Sequence, residues 1–266
     1  MAIVAAAFAG LVQGVTEFLP VSSSGHLVLL HEFLGFNTGD DAAFDVALHV
    51  ATLLAVVWYF RHELRRYLRA WAGSWRGVVT ADARVGWQLA VGTLPALAVG
   101  WWFGDVIERT LRGPLAVAIA LGVVGVGMLL IERTARPLRT VRELRFSDAL
   151  VIGVAQALAL IPGVSRSGIT IIAGLAIGLQ RREAARFSFL LAVPVMAGAA
   201  AVKLRALEGL AAEGLPQLTV AFVAAAVAGW WAIRFLLRWL ERSTLKPFAY
   251  YRILLSFAIL AWWYVR

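Results

Sequence analysis

The chain reads as an all-α integral membrane protein, with six transmembrane helices and two re-entrant helix pairs arranged as an inverted-topology repeat. Three observations lead there. Hydrophobic residues make up 61% of the chain and charged residues only 15%, with a mean hydropathy of +0.78. These values lie outside the range of soluble globular proteins. Six stretches are long and apolar enough to cross a hydrocarbon core of about 30 Å as helices. Finally, a polar segment is written twice, at a constant offset of 143 residues, each copy set in apolar sequence.

In chain order, the spans fall at roughly 43–60, 84–103, 114–132, 186–204, 217–239 and 248–265. The pieces around the polar segments are shorter. Residues 2–19 and 24–34 are separated by Pro20 and the Ser22, Ser23, Ser24, Gly25 break; residues 147–161 and 167–179 are separated by Pro162, Gly163, Ser165 and Arg166. Broken helices at membrane depth are tolerated where protein buries them or where they line a wet cavity. Both are therefore read as re-entrant pairs that enter and leave on one side. The connections 61–84, 133–145, 180–186 and 238–246 are read as loops carrying six, five, three and three Lys or Arg, against five in 35–42, 104–113, 203–216 and the C-terminal Arg266. The basic connections belong in the cytoplasm. Three spans per repeat is an odd number, so the second copy is expected inverted, with the two breaks meeting near the midplane. The whole is one membrane domain over residues 1–266, repeat one covering about 1–132 and repeat two about 144–266.

A formal charge of +9 could suggest nucleic acid, but the basic residues sit in short clusters between apolar segments and match anionic lipid headgroups instead. No nucleic-acid partner is expected; membrane lipids are. The chain has no cysteine, which excludes disulfides and thiolate metal sites. Its N-terminal apolar run lacks a basic lead-in and reads as mature protein.

The repeated segment carries the chemistry. Gly10, Gln13, Val21, Ser22, Ser24 and Gly25 match Gly153, Gln156, Val164, Ser165, Ser167 and Gly168, whereas Glu17 and His26 occur only in copy one and Arg166 only in copy two. Gln13 and Glu17 share a helix face one turn from the break. They are either a packing pair or an oxygen cluster that positions water or a divalent cation, or that acts as a base. The serines after Pro20 suit helix N-caps, and the same backbone N–H groups make an anion cradle. His26, in the first turn beyond, is a candidate general acid, base or nucleophile; His31, His49 and His62 are read as structural. Arg166 costs too much in a membrane interior to serve packing alone. Its fork suits two phosphate oxygens, with Ser165, Ser167 and Thr170 as neutral donors. An ion pair between Arg166 and Glu17 is compatible with that role. Gly10/Gly14 and Gly153/Ala157 give a small-xxx-small face in each copy.

Together, Gln13-x-x-x-Glu17, the Pro20-Val-Ser-Ser-Ser-Gly25-His26 run, Pro162-Gly-x-Ser165-Arg166-Ser167-x-x-Thr170 and the run from Phe187 to Pro194 resemble the bacterial undecaprenyl-diphosphate phosphatase family associated with bacitracin resistance. The likeness covers essentially the whole chain. Many members carry glutamate where this chain has Gln13, which leaves Glu17 as the acid of copy one and its metal-ligand candidate. The resemblance implies hydrolysis of a C55 isoprenoid diphosphate to its monophosphate and phosphate, dependent on Mg2+ or Ca2+. It also implies a place in the bacterial cytoplasmic membrane, with the site opening to the periplasmic face. In that chemistry Glu17, Ser23, His26 and Arg166 are catalytic, and Gln13, Ser22, Ser24, Ser165, Ser167 and Thr170 bind substrate. Ser23 is the favoured nucleophile, with His26 or Glu17 accepting its proton, and direct water attack fits equally. The competing reading is a polyprenyl-phosphate flippase without hydrolysis. The sequence leaves open whether the protein is a monomer or a homodimer.

Overall fold

The computed structural model describes residues 3–34, 41–77, 79–136, 138–203 and 214–265. Most of the predicted connections 35–42 and 203–216, Arg266 and the side chain of His31 lie outside the described residues. Among the described residues eleven α-helices follow one another: α1 (Ile3–Phe18), α2 (Ser23–Leu34), α3 (Asp41–Tyr59), α4 (Arg61–Ser74), α5 (Ala81–Leu111), α6 (Pro114–Thr134), α7 (Phe146–Leu158), α8 (Arg166–Ala176), α9 (Arg181–Lys203), α10 (Leu215–Trp239) and α11 (Lys246–Val265). Among the described residues there is no strand, only one isolated bridge between Arg139 and Leu179.

Five helices are long and apolar enough to cross a membrane, within α5, α6, α9, α10 and α11, and α3 with α4 makes a sixth candidate bent by 80°. Large apolar side chains cover the outside of these helices. Trp101 and Trp102 on α5 are 78% and 72% exposed, a surface that water would not tolerate over a whole molecule and that lipid accepts. The molecule is a multi-pass membrane protein. Helices α1, α7 and α8 are apolar but only 16, 13 and 11 residues long, roughly 24, 20 and 17 Å at 1.5 Å per residue. None can span alone.

Three expected loops are wholly or largely helical, and one of them, 180–186, forms the first turns of α9 from Arg181 onward. Residues 61–74 form α4, whose Arg61, Arg65, Arg66 and Arg69 are exposed while Tyr67 is buried. Its charge density hid a helical pattern of Leu64, Tyr67 and Trp71 at spacings of three and four. Helix α5 runs through most of the expected 104–113 loop, ending at Leu111. Glycine sets the closest packing. On α1, Gly10 and Gly14 lie against the carbonyls of Ala221 and Ala225 on α10, so closely that a β-carbon on either would overlap them. Gly153 on α7 meets the backbone of Gly92 on α5 in the same way. Helix α9 runs through the core: Phe187, Phe189, Leu190, Leu191 and Ala192 are fully buried, and Phe189 meets Phe18 edge-on at 5.5 Å between ring centroids. Glu132 on α6 pairs with Arg181 on α9 and accepts the Leu245 N–H ahead of α11 at 2.8 Å, fixing three elements at one end.

Candidate active site

The two helix breaks share one local geometry. Ser22 and Ser165 have φ of 77° and 71°, and among the described residues they alone hold a positive φ without being glycine. In each break that serine caps the following helix, Ser22 Oγ accepting from the Gly25 N–H and Ser165 Oγ from the Gly168 N–H, both at 3.2 Å. The second serine then sits beside the first, with Ser22 Oγ 3.3 Å from Ser24 Oγ and Ser165 Oγ 3.2 Å from Ser167 Oγ. A left-handed non-glycine residue costs about 1–3 kcal/mol and persists only where its surroundings over-determine it. Here that happens twice, at matched positions.

The breaks touch. Ser167 Oγ donates to the Leu19 carbonyl at 3.2 Å, and the Gly163 N–H to Ser24 Oγ at 3.4 Å. Between them Glu17, 8% exposed, gathers three donors. Oε2 accepts from Ser23 Oγ at 2.6 Å and from Gln13 Nε2 at 3.1 Å, and Oε1 accepts from Arg166 Nη2 at 3.2 Å. Arg166 also donates from Nη1 to the Ser188 carbonyl at 3.4 Å. Thr170 Oγ1 hydrogen-bonds Ser188 Oγ at 2.6 Å and donates to the Arg166 carbonyl at 2.7 Å. The hydroxyl of one break, the buried carboxylate behind it and the guanidinium of the other break thus form one hydrogen-bonded chain. A serine whose proton already points at a carboxylate is poised for nucleophilic attack, and the guanidinium offers charge to an anion beside it.

His26 stands apart. Its Nδ1 lies 2.7 Å from the Ser22 carbonyl, which can only accept, so Nδ1 carries the proton. Nε2 then accepts from the Tyr251 hydroxyl at 2.6 Å, and the two rings stack at 5.7 Å. Among the described residues it makes no hydrogen bond to Ser23, Glu17 or Arg166. Instead it lines a groove of about 430 Å³ with Phe8, Val12, Leu29, Leu255 and Trp262, apolar except at this imidazole. His49 Nδ1 is 2.8 Å from the Asp45 carbonyl on its own helix.

For a divalent cation the residues present offer a small set of oxygen ligands. Gln13 Oε1 is buried with no hydrogen-bond partner, and it lies on the side chain whose Nε2 already bonds Glu17. Among the described residues no cluster of three His, Cys, Asp or Glu exists. An amide oxygen and one carboxylate match an ion such as Mg2+, which keeps waters and takes its other ligands from phosphate. Sequence reasoning missed Ser188, Tyr251 and Arg252. The available signal for Arg252 was its charge inside an apolar span.

Fold and site together define a multi-pass membrane protein with a buried serine–carboxylate–guanidinium centre made from two broken helices. This chain belongs to the bacitracin resistance protein BacA family, whose model matches residues 6–258. It is 44% identical over 258 residues to the undecaprenyl-diphosphatase of Rubrobacter xylanophilus, with 95% of each chain covered. It is 43% identical to that of Moorella thermoacetica over the full length of both, and 44% identical to that of Desulforudis audaxviator over 94% of each.

Proposed function

We propose that this chain hydrolyses undecaprenyl diphosphate to undecaprenyl phosphate and inorganic phosphate, in the bacterial cytoplasmic membrane. The observation that carries the reading is the 2.6 Å hydrogen bond from Ser23 Oγ to Glu17, whose other oxygen holds Arg166. Ser23 Oγ attacks the terminal phosphorus, the anhydride P–O bond breaks towards the lipid monophosphate, and Glu17 takes the hydroxyl proton. Glu17 passes that proton to the departing lipid phosphate and, again a carboxylate, takes one from the water that releases phosphate from Ser23, whose hydroxyl is restored. Arg166 and the N-terminal amides of α2 and α8 hold the diphosphate oxygens. Glu17 and Gln13 Oε1 are the residues that would hold Mg2+ or Ca2+; the ion supplies charge neutralisation to the phosphate. The apolar groove beside His26 suits the isoprenoid, which places the imidazole where headgroup and tail meet.

The finer topology belongs to the same proposal: α1–α2 and α7–α8 are re-entrant pairs of an inverted repeat, and the site opens to the periplasmic side. Support comes from the matched geometry of Ser22 and Ser165 and from the excess of Lys and Arg in the connections on the opposite side. A flippase without hydrolysis has no use for a hydroxyl held on a carboxylate. The test is phosphate release from undecaprenyl diphosphate by the purified protein, with and without chelator. Release that stops on chelation and returns with Mg2+ or Ca2+ is expected; no release under any condition would favour the flippase.

A further inference from the structure

Arg252, on α11, is fully buried and carries no ion pair among the described residues. All of its hydrogen bonds there go to main-chain carbonyls. Nε donates to Leu121 at 3.3 Å, and Nη1 to Pro20 at 3.3 Å. Nη2 donates to Ala120 at 3.4 Å, to Gly163 at 2.8 Å and to Val164 at 3.1 Å. These acceptors belong to three separate parts of the fold. Ala120 and Leu121 are in the middle of α6, Pro20 lies in the first break, and Gly163 and Val164 lie in the second. Both breaks rest on the same turn of α6. A β-carbon at Gly163, whose φ is +95°, would strike the Val117 carbonyl and Ala120, and one at Gly25 would press on Val117. Helix α11 comes close enough for the guanidinium to reach because Gly122 and Gly125 on α6 leave room for Ser256 and Arg252.

Three of the carbonyls taken by Arg252 come one or two residues before a strained serine: Pro20 is two before Ser22, and Gly163 and Val164 are two and one before Ser165. Those serines hold the left-handed φ that turns each break and aims Ser23 and Arg166 at Glu17. A planar guanidinium with five N–H donors can span three segments at fixed angles, and an ammonium cannot. We propose that Arg252 is the positioning residue that holds both helix breaks in register, so that Ser23 and Arg166 converge on Glu17. The proposal rests on the phosphatase reading above, and it assigns Arg252 no contact with substrate.

The experiment compares Arg252→Lys, Arg252→Gln and Ser256→Ala with the parent. Ser256→Ala removes a neighbouring α11–α6 hydrogen bond, Ser256 Oγ to the Ala118 carbonyl at 2.6 Å, and controls for helix packing. Phosphate release is measured per folded molecule, alongside KM for undecaprenyl diphosphate and the thermal midpoint in detergent. Arg252→Lys and Arg252→Gln are expected to lose about 100-fold or more in kcat with KM within about threefold, since misplaced reacting groups act on the transition state. Ser256→Ala should keep kcat within about threefold. Near-parental kcat in the folded Arg252→Lys variant would overturn the proposal. So would an equal loss in Ser256→Ala, or failure of both Arg252 variants to fold, which would make Arg252 a folding residue alone. No release by the parent defeats the functional reading itself and is recognised before any variant is compared.

Discussion

Glu17 is the residue on which the site turns, because among the described residues it alone hydrogen-bonds to side chains of both breaks. It is buried, with Ser23 on one oxygen and Arg166 on the other. Removing one partner of a buried pair leaves the other charge uncompensated, typically at 3–5 kcal/mol. Glu17→Ala is therefore a poor probe of chemistry, and Glu17→Gln a better one. Its amide fills the same volume, keeps one acceptor oxygen, for Arg166 or for Ser23 but not for both, and cannot take a proton. We expect Glu17→Gln to lose phosphate release by about 100-fold or more while binding a nonhydrolysable polyprenyl diphosphate analogue within about tenfold of the parent. Arg166→Lys should likewise lose most turnover, because an ammonium cannot reproduce the fork. Near-normal turnover by either variant would remove that residue from the mechanism. His26→Ala is the informative third: the ring bonds Ser22 and Tyr251 and not Ser23, so its loss should resemble a positioning defect, with residual activity above that of Glu17→Gln.

Short helices are held by backbone proximity where long ones rely on side-chain area. Helices α1 and α7 each lie on a long helix through glycines that admit no side chain: Gly10 and Gly14 of α1 against α10, and Gly153 of α7 against α5. Overpacking a tight interface typically costs 1–3 kcal/mol. Gly10→Ala and Gly153→Ala should therefore lower the thermal midpoint of the detergent-solubilised protein and reduce its folded yield. Gly73→Ala on α4, where a β-carbon meets nothing within 4 Å, should leave the midpoint unchanged or raise it slightly. Equal behaviour of the three variants would show that the glycine contacts do not set the packing. Helix α4 itself bends 80° away from α3 and gathers Trp71, Trp75 and Trp87 at centroid distances of 5.4–6.0 Å. A basic helix ending in tryptophans suits the headgroup layer.

At the scale of the whole molecule, an inverted repeat requires that the two ends of α5 face opposite sides of the membrane. The chain has no cysteine, so single introduced thiols report without background. Gly73 and Gly104 are open positions where a new side chain meets no neighbour. In intact cells Gly104→Cys should react with an impermeant thiol reagent and Gly73→Cys should be protected until the membrane is permeabilised. The reverse pattern would overturn the orientation, and reaction of both would overturn the span between them.

What the chain determines by itself is the information that is local along it. Hydropathy runs mark α3, α6, α9, α10 and α11 near their observed bounds, because burying backbone in lipid demands a continuous apolar helix. The offset of 143 residues marks both breaks, and the cost of charge in apolar surroundings singles out Glu17 and Arg166. Tertiary structure decides what depends on distance in space. It gives Ser23 to Glu17 and turns His26 away to Tyr251, 225 residues later. It makes a helix of 61–74, where charge density masked a weak amphipathic period. It also decides Arg252, whose acceptors lie 89 and 232 residues away in the chain. No periodicity encodes such a bridge: it exists only once α6, α11 and both breaks have packed, and only then do five carbonyls converge on one guanidinium.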